Sequence, residues 1–306
     1  MKAMANQGMS EHLSQMLAAL RTAVRPLIPE RWLGGGAVVP VVRLSGAIGF
    51  STPLRPGLTL ASVARPLERA FTMRRASAVA LLINSPGGSP VQSHMIYLRI
   101  RQLAAEHKRP VIAFAEDVAA SGGYMIACAA DEIICDASSI VGSIGVVGAS
   151  FGFTGLMEKI GVERRLYTSG ERKAMLDPFL PEKPEDVERL KSVQQEIHED
   201  FIALVKQSRG ARLIGPENDV FSGEFWTGRK AIELGIADGL GDLRSTLRQR
   251  FGDDVVTPLV SPARGWFGRV QPGLGTAVDG WLHRPNFAEE VISALEARAI
   301  WARYGL

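Results

Sequence analysis

From Val38 onward, short apolar runs alternate with segments of helical periodicity, and this alternation constrains the fold more than any other feature of the chain. The sequence predicts strands over Val38–Leu44 and Ala78–Ile83; the second is a continuous apolar run suited to burial on both faces. Between them, Val63–Met73 sets Val63, Leu67, Ala70 and Phe71 on one helical face, and a second helix is predicted over Val91–Ala105. Val111–Phe114 and Glu132–Cys135 extend the series as strands. Repeated βαβ units of this kind imply a mainly parallel sheet, so the expected class is α/β. Further on, a long helix is predicted over residues 185–208, and Phe221–Gly241 reads as a turn, a short helix and a Gly-rich stop. A last helix is predicted over Phe287–Tyr304.

Composition removes several function classes. The chain has 306 residues, 46% apolar and 22% charged, enough to bury a sizeable core. A net charge of +3 is too small to argue for nucleic acid. Two cysteines, Cys128 and Cys135, exclude a disulfide scaffold and a four-thiolate zinc site; they read as buried small hydrophobes. No metal or cofactor is expected. The apolar run Ala37–Val42 contains Pro40 and is too short to span a membrane, and the start lacks the order of a secretory signal, so a cytoplasmic protein is expected. Residues 11–28 carry an amphipathic helical pattern with Arg21 and Arg25, kinked near Pro26. They fit a helix docked on protein, or a basic helix lying on the inner face of a membrane.

Three Gly-containing loops stand at strand ends and carry the chemistry. Asn84-Ser85-Pro86-Gly87-Gly88 follows one strand and precedes a helix, and paired glycines there let backbone N–H groups approach a ligand. It lacks the lysine and hydroxyl residue of a phosphate loop. Ser121 in Ala119-Ala120-Ser121-Gly122-Gly123-Tyr124 fits a helix N-cap, or a nucleophile with the Gly122 N–H beside it to stabilise an oxyanion. No histidine lies between 108 and 197, so a base from the region after Ser121 would have to be lysine. Lys159, Lys183 and Lys191 sit in charged helical or Pro-flanked surroundings. Lys173, in Ser169-Gly170-Glu171-Arg172-Lys173-Ala174 just after a strand predicted over Arg165–Thr168, is the remaining candidate. A lysine base must be neutral near pH 7, and lowering its ordinary value of about 10.4 by about 3 costs about 4 kcal/mol, which an apolar site can impose. Ser143, in Val141-Gly142-Ser143-Ile144-Gly145, offers a hydroxyl to orient the amine, or simply occupies a Gly-flanked turn. Gly148-Ala149-Ser150-Phe151-Gly152 matches G-x-S-x-G with His198 and His283 downstream, but no clear strand precedes Ser150.

Taken in order, these loops resemble the S49 serine peptidases, the signal peptide peptidase A and SohB-like group, over residues 38–245. By that resemblance Ser121 is the nucleophile, Lys173 the general base and Ser143 the residue that orients the lysine. Gly88 and Gly122 supply the oxyanion hole. The separation of positions 121 and 173 suits the short, single-domain members. The implied fold is a ClpP/crotonase-like spiralled parallel sheet with flanking helices, assembled as a homo-oligomer. The implied activity is endoproteolysis of hydrophobic peptides, signal-peptide or membrane-protein fragments. The membrane anchor typical of such peptidases is not seen, and the tail matches no motif. The expected organisation is an N-terminal arm over 1–36, a peptidase domain over 37–255 and a tail over 256–306. Two other readings stay open: a crotonase-like acyl-thioester enzyme that uses the same paired N–H groups without a nucleophile, and a scaffold that binds peptides without cutting them.

Overall fold

The computed structural model describes residues 36–49, 57–261, 298–299 and 301–305. Their elements in chain order are β1 (Val41–Ser45), α1 (Leu60–Phe71), β2 (Val79–Ser85), α2 (Pro90–His107), β3 (Val111–Ala120), α3 (Gly122–Ala127), β4 (Glu132–Cys135), β5 (Ile140–Gly142), α4 (Thr154–Ile160), α5 (Pro184–Arg209), α6 (Glu217–Val220), β6 (Phe225–Thr227), α7 (Gly228–Glu233), β7 (Gly239–Leu240) and α8 (Leu243–Phe251). The class is α/β, as expected. The strands run β1-β2-β3-β4-β7, all parallel, and β5 joins β3 beyond the point where β4 leaves it. β6 closes on β5 in the antiparallel sense.

Both faces of the sheet are covered, which explains the continuous apolar run of β2. Val79, Leu81 and Ile83 face α1, α2 and α3 in the larger core, with Val63, Leu67, Ile96, Ile100 and Ile126. Ala80 faces the other way, with Val41, Ile112 and Phe114, under Leu247 of α8. Complete burial of a side chain such as Ile83 contributes about 1.5–3 kcal/mol. α1 begins three residues before its predicted start because Thr59 and Ser62 form a reciprocal capping box. Residues 256–260 run beside β1, where the Val39 N–H donates to the Val256 carbonyl and the Val260 N–H to the Val41 carbonyl.

Two expectations need correction. β3 continues six residues past Phe114. Glu116 and Asp117 break its apolar pattern where the strand exchanges partners, from β4 at Ile112–Ala115 to β5 at Val118–Ala120. The Ser139 hydroxyl bridges the change by donating to the Glu116 carbonyl at 2.6 Å. The strand predicted over Arg165–Thr168 does not form; these residues are exposed and pair with no described strand. The arm over 11–28, His283 and most of the predicted last helix lie outside the described residues.

Candidate active site

The splitting of β3 between β4 and β5 opens the sheet at the C-terminal ends of its strands, the usual place for a site in α/β proteins. Ser121 stands there, between β3 and α3, with φ 52° and ψ −122°. A non-glycine residue in this region is strained by about 1–3 kcal/mol. Its hydroxyl makes no capping hydrogen bond, so the helix-cap reading gains no support. What fixes the turn is the backbone: the Ser121 N–H donates to the Gly142 carbonyl at 2.8 Å, and the Ser121 carbonyl accepts from the Met125 N–H at 2.9 Å.

The loop after β2 presses directly on this turn. A Cβ on Gly87 would lie 2.7 Å from Ser121 Cβ and 2.9 Å from the Gly122 nitrogen, and Gly87 has φ +98°. Only glycine fits there. Gly88 is held from its other side, by a bridge to Ile48 in which the Ile48 N–H donates to the Gly87 carbonyl and the Ser89 N–H to the Ile48 carbonyl, both at 2.8 Å. Buried Ser85 ties the loop further, its hydroxyl donating to the Gly46 carbonyl at 2.7 Å. Among the described residues the N–H groups of Gly88 and Gly122 donate to no partner. Gly87 is a site residue the sequence did not distinguish from its neighbour. The double glycine signalled a close approach but not which of the two makes it.

Ser143 follows β5 as Ser121 follows β3, one position beyond the Ala120–Gly142 register pair. It is buried, also at positive φ (54°), and its N–H donates to the Glu224 carbonyl at 2.6 Å. The carbonyl of the next residue, Ile144, lies 3.0 Å from Nε2 of His198 on α5, a link no sequence motif signalled. The hydroxyl of Tyr304 donates to Ser143 Oγ at 3.2 Å.

Lys173 is placed otherwise. It lies in an exposed turn, its N–H donating to the Gly170 carbonyl at 3.2 Å, and no described hydrogen bond joins its amine to Ser121 or Ser143. The desolvated pocket that a neutral lysine needs is not formed around it in the single chain. Ser150 is also exposed, in a segment without regular structure and with no strand entering it, so the G-x-S-x-G match lacks the geometry of a nucleophile elbow.

Behind the site, Arg209 at the end of α5 is fully buried and grips Asp238 through two 2.8 Å hydrogen bonds. Burial opposes the Asp238 charge, but the hydrogen bonds from Arg209 and the Ile133 N–H outweigh it and hold the carboxyl below the usual aspartate range. Tyr124 of α3 donates to the Ile236 carbonyl at 2.8 Å in the same layer. Burial raises the thiols of Cys128 and Cys135 to about 11, which leaves them protonated at neutral pH.

Residues 104–251 match the profile of peptidase family S49, a span that contains Ser121, Gly122, Ser143 and Lys173. The chain is 55% identical over 297 residues to a Brucella abortus protein named Na(+)/H(+) antiporter NhaA, covering 96% of this chain and 40% of that protein. A Brucella melitensis counterpart aligns to the same extent. It is 33% identical over 215 residues to the chloroplastic serine protease SPPA of Arabidopsis thaliana, covering 69% of this chain and 31% of that one. It is also 34% identical over 194 residues to Protease 4 of Haemophilus influenzae, covering 61% and 30%. The chain thus spans less than half the length of each of these relatives. The antiporter name describes the longer Brucella proteins; among the described residues here, no helix is long and apolar enough to cross a membrane. With the match running through the strand ends that carry Ser121 and Ser143, residues 104–251 of this chain are those of peptidase family S49.

Proposed function

We propose that this chain is a serine endopeptidase in which Ser121 is the nucleophile, Lys173 the general base, Ser143 the residue that orients the base, and the N–H groups of Gly88 and Gly122 the oxyanion donors. The observation that carries the reading is the Ser121 turn. A hydroxyl left without a capping bond, on a strained backbone and next to the Gly122 N–H, which like that of Gly88 meets no acceptor among the described residues, is what acyl transfer to serine requires. Ser121 Oγ attacks the scissile carbonyl and its proton passes to the Lys173 amine. The carbonyl oxygen, now anionic, is held by the two N–H groups. Collapse expels the amine product, which takes the proton from lysine, and water then cleaves the acyl-serine by the same route.

The base has to reach Ser121 from an exposed segment. The same segment carries Val147, Phe151, Ile160 and Val162, each more than half exposed. An apolar face of this size supports homo-oligomerisation, with contact between copies covering the segment and desolvating Lys173. Substrates in this reading are extended hydrophobic peptides, paired through their backbones at the sheet edge. Contact of residues 11–28 with the inner face of a membrane belongs to the same reading.

The acyl-thioester alternative would place a glutamate acid/base near the oxyanion donors. Glu116, at the partner exchange of β3, is engaged by Arg43, which leaves it poorly suited to that part. Cleavage of casein and of membrane-derived peptides by the wild type and by Ser121→Ala decides the matter, with fluorophosphonate labelling of Ser121 alongside. Unchanged hydrolysis by Ser121→Ala, or an unlabelled Ser121, would remove the serine-peptidase reading.

A further inference from the structure

The segment Trp301–Gly305 is folded into the cleft beside Ser143. Its two turns are closed by hydrogen bonds from the Tyr304 N–H to the Trp301 carbonyl (2.9 Å) and from the Gly305 N–H to the Ala302 carbonyl (3.1 Å). They present the Tyr304 side chain to three groups. Its hydroxyl donates to Ser143 Oγ at 3.2 Å and lies 3.4 Å from the carbonyl of Pro86, in the loop that packs on Ser121. Its ring meets Phe225 edge to face, with centroids 5.1 Å apart and planes at 67°. On the remaining side it borders a cavity of about 860 Å³ lined by Leu82, Phe114, Ile140 and Leu259, with Glu116 and Ser139 at its polar end.

These groups define a chemistry. A carbonyl can only accept, so the Pro86 oxygen selects a donor, and the Ser143 hydroxyl is compatible with one. The edge-to-face partner and the apolar cavity wall select an aromatic ring. A phenol satisfies both requirements together; phenylalanine meets only the second.

We propose that Phe225, the Pro86 carbonyl and the Ser143 hydroxyl form a peptide subsite for a tyrosine side chain, and that the chain's own 301–305 segment occupies it as an intramolecular ligand. This deepens the peptidase reading and rests on it. Ser143 is the residue assigned there to orienting Lys173, so a tyrosine bonded to Ser143 Oγ and the base contend for the same hydroxyl. The segment therefore competes with substrate for the cleft and with Lys173 for Ser143. An incoming peptide has to displace Tyr304 before the dyad assembles.

The test uses the full chain and a fluorescein-labelled peptide of residues 298–306, with a control peptide carrying alanine in place of the tyrosine. Binding is read by anisotropy on Ser121→Ala, so that no turnover intervenes. Adding Tyr304→Ala to that background should tighten binding of the labelled peptide about five- to tenfold, because an occupied site reduces apparent affinity by the fraction that is free. Tyr304→Phe, which keeps the ring and loses the donor, should fall between. The control peptide should bind weakly to every variant, and Phe225→Ala should abolish the gain. With Ser121 intact, Tyr304→Ala should lower KM for tyrosine-containing peptides. Equal binding of the labelled peptide with and without Tyr304, or equal binding of the two peptides, would overturn the subsite. Persistent hydrolysis by Ser121→Ala would instead overturn the peptidase reading and leave the binding result standing.

Discussion

The Ser121 turn and the segment that carries Lys173 belong to one proposed dyad, yet they are built in opposite ways. At Ser121 the backbone is fixed on both sides, its N–H by the Gly142 carbonyl at the end of β5 and its carbonyl by the Met125 N–H of α3. Gly87 abuts the nucleophile so closely that no Cβ fits, and both serines sit at positive φ on paired strands. Around Lys173 the chain is exposed and is held by local turns, with apolar residues facing solvent. Helix α5 joins the two regimes. Its C-terminal end buries Phe201, Leu204, Val205 and Arg209, whereas its N-terminal half has no fully buried residue. In the proposed dyad one half is preorganised within a single chain, and the other half awaits whatever covers it.

Removing either half should produce the largest effect. Ser121→Ala and Lys173→Ala should each lower peptide hydrolysis by about a thousandfold or more, and the double variant should be no worse, since members of a catalytic unit fail non-additively. Initial rates on a fluorogenic peptide check this, with circular dichroism showing that each variant is folded. Mixing the two inactive variants sharpens the comparison. Recovered activity means that one copy supplies the serine and another the lysine, whereas none means that the segment folds back within its own chain.

The anchor of α5 comes next in size. Arg209→Ala leaves Asp238 charged, largely buried and with only the more distant Arg212 (3.6 Å) and the Ile133 N–H, a loss of about 3 kcal/mol. Urea denaturation should show it as a lower midpoint with an unchanged slope. The same pair predicts an acid limit. The folded-state value of Asp238 is depressed, so its contribution is complete above the ordinary aspartate value of about 3.9 and disappears as pH falls through the lower folded value. Arg209→Ala should lose that part of the acid dependence. An identical pH dependence in both proteins would contradict the assignment.

Gly87→Ala should cost less stability but much of the activity. The new Cβ must displace Ser121 or the Gly122 nitrogen and would hold alanine at a φ of +98°. Strain of about 1–3 kcal/mol is expected, and displacing an oxyanion donor lowers kcat by about 10²–10³. Near-normal kcat would mean that the Asn84–Gly88 loop is packing alone.

The sequence made the first regime legible and the second only in part. Parallel strands bury both faces and read as continuous apolar runs, so β2, β4 and the body of β3 stand out, and glycines at strand ends mark the turns. The partner exchange in β3 was hidden because Glu116 and Asp117 look like the end of a strand. Ser121 and Ser143 were found because both sit in Gly-flanked turns. Gly87, His198 and Tyr304 were missed because their parts depend on contacts between residues far apart in sequence. Lys173 was selected by the absence of histidine, a chemical argument that says nothing about where a lysine lies. The strand predicted beside it, Arg165–Thr168, pairs with no described strand.

The smallest expected effect tests the exposed segment itself. Phe151 is 79% exposed, so Phe151→Ser removes little buried surface and should change the unfolding free energy of the dilute chain by no more than about 0.5 kcal/mol. If copies of the chain meet through this segment, the same substitution should shift sedimentation toward smaller species and lower specific activity at low protein concentration. Higher concentration should restore that activity by mass action. A substitution as mild as this in the Ser121 region, such as Ile83→Val, should do the reverse, costing about 0.5–1.5 kcal/mol of stability with no effect on assembly. Denaturation and sedimentation of the two variants side by side therefore separate a surface from a core. A large stability loss in Phe151→Ser would place the segment inside the folded body and remove the contrast between the two halves of the dyad.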